Sequence, residues 1–143
     1  MYRNVVIAYD GSDGSRAALA KAAEISARDG AALTVVEAVA GKVPSPAPGG
    51  PPLPPPEKRA MAREDLRRAV EAIDPKLEAA GWVIGGPAGR GILTVADDIE
   101  ADLIVTGSRA QGRISRTVLG SVSTEILHGA RCDVLVVHPP SDG

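Results

Sequence analysis

The chain has 143 residues, enough for one domain around one core and too few for two, and its net charge of -2 gives no reason to expect nucleic acid or an anionic membrane as partner. Its 44% of apolar residues are almost wholly Ala, Val, Leu and Ile, with no Phe, one Trp and two Tyr, so the core is aliphatic and the stacking platforms of single-strand binders are missing. A lone cysteine, Cys132, excludes an internal disulfide, and no stretch reaches the roughly 20 apolar residues that cross a bilayer.

Met1 to Val5 runs straight into a strand without a signal-like apolar stretch, which leads us to expect a cytoplasmic protein. Val5 to Tyr9 is a continuous β-branched run of the kind buried on both faces of a parallel sheet. It stops at Asp10. The turn Asp10-Gly11-Ser12-Asp13-Gly14-Ser15 supplies the small polar residues of a strand-to-helix loop, with Ser12, Asp13 or Ser15 as N-cap of a helix reaching Asp29-Gly30. Leu33 to Val39 is the second strand, parallel to the first by the right-handed crossover rule.

From Lys42 to Pro56 the composition changes: eight of the twelve prolines lie between Pro44 and Pro56, marking residues 43–56 as a loop that cannot join a ladder. Such a loop is either a spacer or a ligand for a PxxP-reading domain. Leu66, Val70, Ile73 and Leu77 then recur at helical spacing, predicting a helix over Glu57 to Ala80 with a kink or restart at Pro75 and an end at Gly81. Trp82 to Gly85 reads as a short edge strand, Ile92 to Ile99 as a helix stripe, and Leu103 to Val105 as the fourth strand. Ser121 to Ala130 is the last helix and Asp133 to His138 the fifth strand. Five strands alternating with four helices specify a single-domain α/β fold, an open parallel five-stranded sheet with helices on both faces. The richest Gly, Asp and Ser loops follow strands one and four, which places the reversal of strand order between them and gives the order 3-2-1-4-5.

The run Val105-Thr106-Gly107-Ser108-Arg109-Ala110-Gln111-Gly112-Arg113, continuing to Gly120-Ser121-Val122-Ser123, couples a buried strand to a glycine-bearing basic loop and a helix start. Free backbone N–H groups at a helix N-terminus carry partial positive charge and suit phosphate. Gly107, Gly112 and Gly120 can alternatively be turn residues at positive φ, although a turn alone requires neither the three arginines (Arg109, Arg113, Arg116) nor the hydroxyls of Ser121 and Ser123. Asp10 caps or forms a turn, or else meets a ribose or a phosphate-bound metal at the end of its strand. The P-loop and dinucleotide-binding glycine fingerprints are absent, and Asp10 with Asp13 lacks the spacing of a calcium loop. His128 and His138 read as structural or surface residues, Cys132 as a small buried hydrophobe, and no Ser, His and acid cluster emerges from the spacing.

The segments Tyr-Asp-Gly-Ser, Ala-Asp-Leu-Ile-Val-Thr-Gly-Ser-Arg, Leu-Gly-Ser-Val-Ser and Cys-Asp-Val-Leu-Val-Val together resemble the universal stress protein family over nearly the whole chain. The resemblance implies the adenine nucleotide alpha-hydrolase-like fold over residues 1–143 and a regulatory stress-response dimer that binds ATP, with magnesium as a possible companion and at most slow hydrolysis. It places Asp10 at the ribose and metal, Ala38 at the adenine, Gly107 and Ala110 along the triphosphate, and Gly120, Ser121, Val122 and Ser123 around the phosphates. ATP-binding members carry G-2x-G-9x-G-[ST]; this chain keeps the spacing as Gly107, Ala110, Gly120 and Ser121, with alanine in place of the second glycine. It further implies dimerisation through the last strand, Val134, Leu135, Val136 and Val137. The alternative is a protein of the same fold that binds no nucleotide and acts through protein contacts, its phosphate site weakened by Ala110.

Overall fold

A computed structural model of the chain describes residues 1–41, 43–50, 52–110 and 117–140. In order, the elements are β1 (Asn4–Ala8), α1 (Asp13–Asp29), β2 (Ala32–Val39), α2 (Pro56–Glu71), β3 (Ala79–Gly85), α3 (Ala88–Asp98) and β4 (Leu103–Gly107). They continue with β5 (Arg109–Ala110), β6 (Thr117–Val118), α4 (Ser121–Gly129) and β7 (Asp133–Val137). β1, β2, β3, β4 and β7 form one parallel sheet in the order β3-β2-β1-β4-β7, the predicted 3-2-1-4-5 order with β7 as fifth strand.

The pleat divides the aliphatic residues between two cores. Val5 and Ile7 of β1, Leu33 and Val35 of β2, and Leu103 and Val105 of β4 face a layer made with Ala18, Leu19, Ala22 and Ile25 of α1 and Leu66 of α2. Val6, Val36 and Ile104 face the other way, onto Ile92, Val95 and Ala96 of α3 and Ile126 of α4. Both faces of the central strands are therefore dry, which is why those strands are runs of Val, Ile and Leu rather than alternating patterns. Asp102 fixes the lower end of the sheet: its carboxylate accepts from the N–H groups of Arg3 (2.9 Å) and Asn4 (2.9 Å).

Three expectations change. The helix predicted over Glu57 to Ala80 is α2, which ends at Glu71; Pro75 neither kinks nor restarts it. Asp74 instead builds a turn, its Oδ1 accepting from Lys76 N–H at 2.9 Å and its carbonyl from Leu77 N–H at 2.9 Å, with Pro75 at the position whose fixed φ suits a turn. The chain reverses, so Gly81 is not a helix end but a residue of β3, opposite Val35 of β2, and the edge strand runs from Ala79 instead of Trp82. The loop after β4 carries an unpredicted two-stranded antiparallel ribbon, β5 with β6, too short for hydrophobic alternation to reveal.

The proline-rich loop is tied down where it is described. Val43 and Leu53 exchange backbone hydrogen bonds of 2.9 and 2.6 Å, and Pro54 is fully buried.

Candidate functional site

In an open parallel sheet the crevice lies beyond the carboxyl ends of the strands, where the order reverses. Here that point separates β1 from β4, and the loops leaving those strands diverge around a cleft. The cleft is lined by Asp10 and Ser12 after β1, Ala38 of β2, Gly107 and Ser108 at the end of β4, and Gly120 to Ser123 at the start of α4. Ala88 and Ile92 of α3 close its apolar side.

Local chemistry explains the β1 side. Ser12 caps α1, accepting the Ser15 N–H on its Oγ at 3.2 Å, while Ser15 Oγ donates to the Ser12 carbonyl at 3.0 Å. Asp10 Oδ1 accepts the Ser12 N–H at 2.9 Å, an Asx-type turn, so Asp10 is a turn former that also lines the cleft. Gly11 supplies the positive φ of 81° that lets the chain bend between them.

On the β4 side, α4 begins at Ser121 with Gly120 as its cap, and glycine has no side chain to occupy the first turn. Thr124 N–H bonds the Gly120 carbonyl at 3.0 Å, which leaves the N–H groups of Ser121, Val122 and Ser123 without intrahelical acceptors. These donors and the positive end of the helix dipole belong to the residues that line the cleft. The Ser123 side chain is already used: its buried hydroxyl donates to the Gly107 carbonyl at 3.1 Å and pairs with Thr106 Oγ1 at 3.0 Å, tying α4 to β4. Ser123 thus offers its backbone rather than its hydroxyl, whereas Ser121 is exposed.

The turn explanation for the glycines fails at Gly120, whose φ is -70°, and at Gly107, which is outside the positive-φ set. Gly107 is small for another reason. A Cβ built there would overlap the backbone of Gly14, and one on Gly14 would overlap the Ser108 carbonyl, so α1 and β4 touch main chain to main chain.

The structure therefore gathers Asp10, Ala38, Gly107, Gly120, Ser121, Val122 and Ser123 around one cleft. Ala110 is placed only as backbone of β5. Gly112, Arg113 and Arg116 fall outside the described residues, and Arg109 is placed only as backbone of β5. Sequence reasoning missed the Ser108 hydroxyl and its partner: Ser108 Oγ lies 2.8 Å from Nδ1 of His138, which directly follows β7. No spacing rule finds that pair, because pairing of β4 with β7 creates it.

Beside the cleft, Glu37 of β2 is partly buried with its Oε2 unpartnered among the described residues. Burial first, then the nearby charges of Asp65 and Asp10, raise its carboxyl above the ordinary range. No group of three or more His, Cys, Asp or Glu that could hold a metal occurs among the described residues. A magnesium ion here would depend on phosphate oxygens, with Asp10 as the one carboxylate lining the cleft among the described residues, a donor set within that ion's usual habits. No helix among the described residues is long and apolar enough to cross a membrane.

Residues 1–138 match the model of the Universal stress protein family. A universal stress protein of Thermus aquaticus is 33% identical over 141 residues, covering 96% of this chain and 99% of that one. Among solved structures, a universal stress protein in complex with cAMP superposes with a TM-score of 0.69 at 29% identity, covering 97% of this chain and 98% of that one. A universal stress protein from Archaeoglobus fulgidus in complex with dAMP gives 0.72 at 25% identity, covering 95% and 98%.

Proposed function

Because this chain belongs to the universal stress protein family, we propose that it is an ATP-binding member, a cytoplasmic regulatory protein of the stress response that works as a homodimer and hydrolyses ATP slowly at most. The observation that carries the reading is the convergence of a capped β1 loop and the open first turn of α4 on one cleft at the switch point of the sheet. The complexes of related proteins with cAMP and dAMP support an adenine ligand there.

In this reading the backbone of Ala38 meets the adenine, with Ala88 and Ile92 as its apolar wall. Asp10 meets the ribose and, through phosphate, magnesium. The N–H groups of Ser121, Val122 and Ser123 receive the phosphates, and Gly107 and Ala110 flank the chain of phosphates. Catalysis of hydrolysis would rest on positioning and the α4 dipole alone, which is why it is slow. The dimer forms through the free edge of β7, Val134 to Val137.

A second reading, a protein of the same fold that binds no nucleotide and acts through protein contacts, draws its support from Ala110, which stands where ATP-binding members have glycine. Gly120→Val separates the two. The extended φ and ψ of Gly120, -70° and 169°, suit valine, so the fold is kept while an isopropyl group enters the cap beside the phosphate donors. The expected result is a folded variant by circular dichroism with ATP affinity reduced at least about tenfold, a loss of roughly 1.4 kcal/mol. Unchanged affinity in the folded variant would remove the phosphate site from α4.

A further inference from the structure

Three hydroxyls cluster where β4 meets α4, and two of them are committed: Ser123 donates to the Gly107 carbonyl, and Thr106 pairs with Ser123. The third, Ser108, is 2% exposed yet lines the cleft, and its backbone is pinned by N–H donation to the Val137 carbonyl at 2.9 Å. Its hydroxyl sits 2.8 Å from Nδ1 of the exposed His138.

A serine hydroxyl has one proton, and a neutral imidazole nitrogen is either donor or acceptor. If Ser108 gives its proton to Nδ1, only lone pairs remain to face the cleft, and they repel a phosphate oxygen. If Nδ1 carries the proton and donates it to Ser108 Oγ, the serine proton is free to meet an acceptor. A phosphate oxygen near the first turn of α4 is such an acceptor.

We infer that His138 is a positioning residue which, by donating from Nδ1 to Ser108 Oγ, presents the Ser108 hydroxyl as a donor to the phosphate of a bound nucleotide, so that the pair distinguishes phosphorylated from unphosphorylated adenine ligands. The inference rests on the nucleotide reading above and adds to it a residue outside the glycine-rich segment.

The test is nitrogen-15 imidazole NMR of the whole chain, with calorimetry in parallel, during titration with adenosine, AMP and ATP. The chain has two histidines, and His128, exposed on α4, serves as internal reference. With AMP or ATP bound, Nδ1 of His138 is expected to carry the proton while His128 is unchanged. Ser108→Ala is expected to lower the ratio of AMP to adenosine affinity about tenfold, the scale of one hydrogen bond to a charged group. His138→Val is expected to do the same, and His138→Asn, whose amide keeps a donor near the Nδ1 position, to restore the ratio. Nucleotide binding with Nδ1 unprotonated, or an unchanged ratio in folded Ser108→Ala, overturns the inference and leaves the nucleotide site standing. Absence of binding by every adenine nucleotide overturns both.

Discussion

Gly107 illustrates how one residue satisfies two demands. Its place in the glycine spacing points to phosphate, but the first turn of α1 lies so close to β4 that any Cβ at Gly107 would meet the backbone of Gly14 and Ser15. Gly107→Ala is therefore expected to destabilise the ligand-free protein by about 1–3 kcal/mol, the usual cost of overpacking, and to lower its melting temperature by roughly 3–10 °C. Thermal unfolding without nucleotide measures this. An unchanged melting temperature with weakened ATP binding would instead make Gly107 a ligand contact only. The sequence shows that a small residue is wanted here, but not why, since Gly14 is distant in the chain and brought near only by the crossover of α1.

Among the elements, those with continuous apolar patterns were legible and those made by turns were not. β1, β2 and β4 are buried on both faces and could be read directly, as could the N-terminus of α1 from its serines and the start of α4 at Ser121. The end of α2 was missed because Ile73 and Leu77 continue the helical spacing beyond the point where Asp74 and Pro75 turn the chain. The packing of α2 over β2 also brings the Asp65 charge near Glu37. Because the folded-state pKa of Glu37 is raised, the folded protein binds the Glu37 proton more tightly than the unfolded chain. Stability from this group is then greatest near and below the ordinary value of 4.5 and falls as pH rises through the raised value. Glu37→Gln is expected to melt above the wild type at pH 7, with the gap closing as pH falls towards 4.5. Unfolding temperatures across that range measure it, and a gap independent of pH would mean that Glu37 carries no such cost.

At the scale of the molecule, the sheet topology was legible because loop composition marked the switch point, and Asp10, Ala38, Gly107 and Gly120 to Ser123 line the cleft there. What stayed hidden depends on strands meeting across the sheet: the Ser108 and His138 pair follows from the register of β4 with β7. The same register has a consequence for assembly. Val137 accepts from Ser108 across the β4 ladder, so the alternation of a parallel strand turns the N–H and C=O of Val136 towards the open edge. Val136→Pro removes an outward donor without taking a bond from the ladder, and is expected to convert the proposed dimer to a monomer in sedimentation analysis. A dimer that survives in the folded variant would move the interface away from the β7 edge.

The most direct measurement is calorimetric titration of the purified protein, stripped of endogenous ligand, with ATP and magnesium, beside AMP and GTP. Micromolar binding of ATP, about -8 kcal/mol and tighter than that of AMP and GTP, is expected. No heat and no thermal shift at millimolar ATP would contradict it and leave the same fold acting through protein contacts alone.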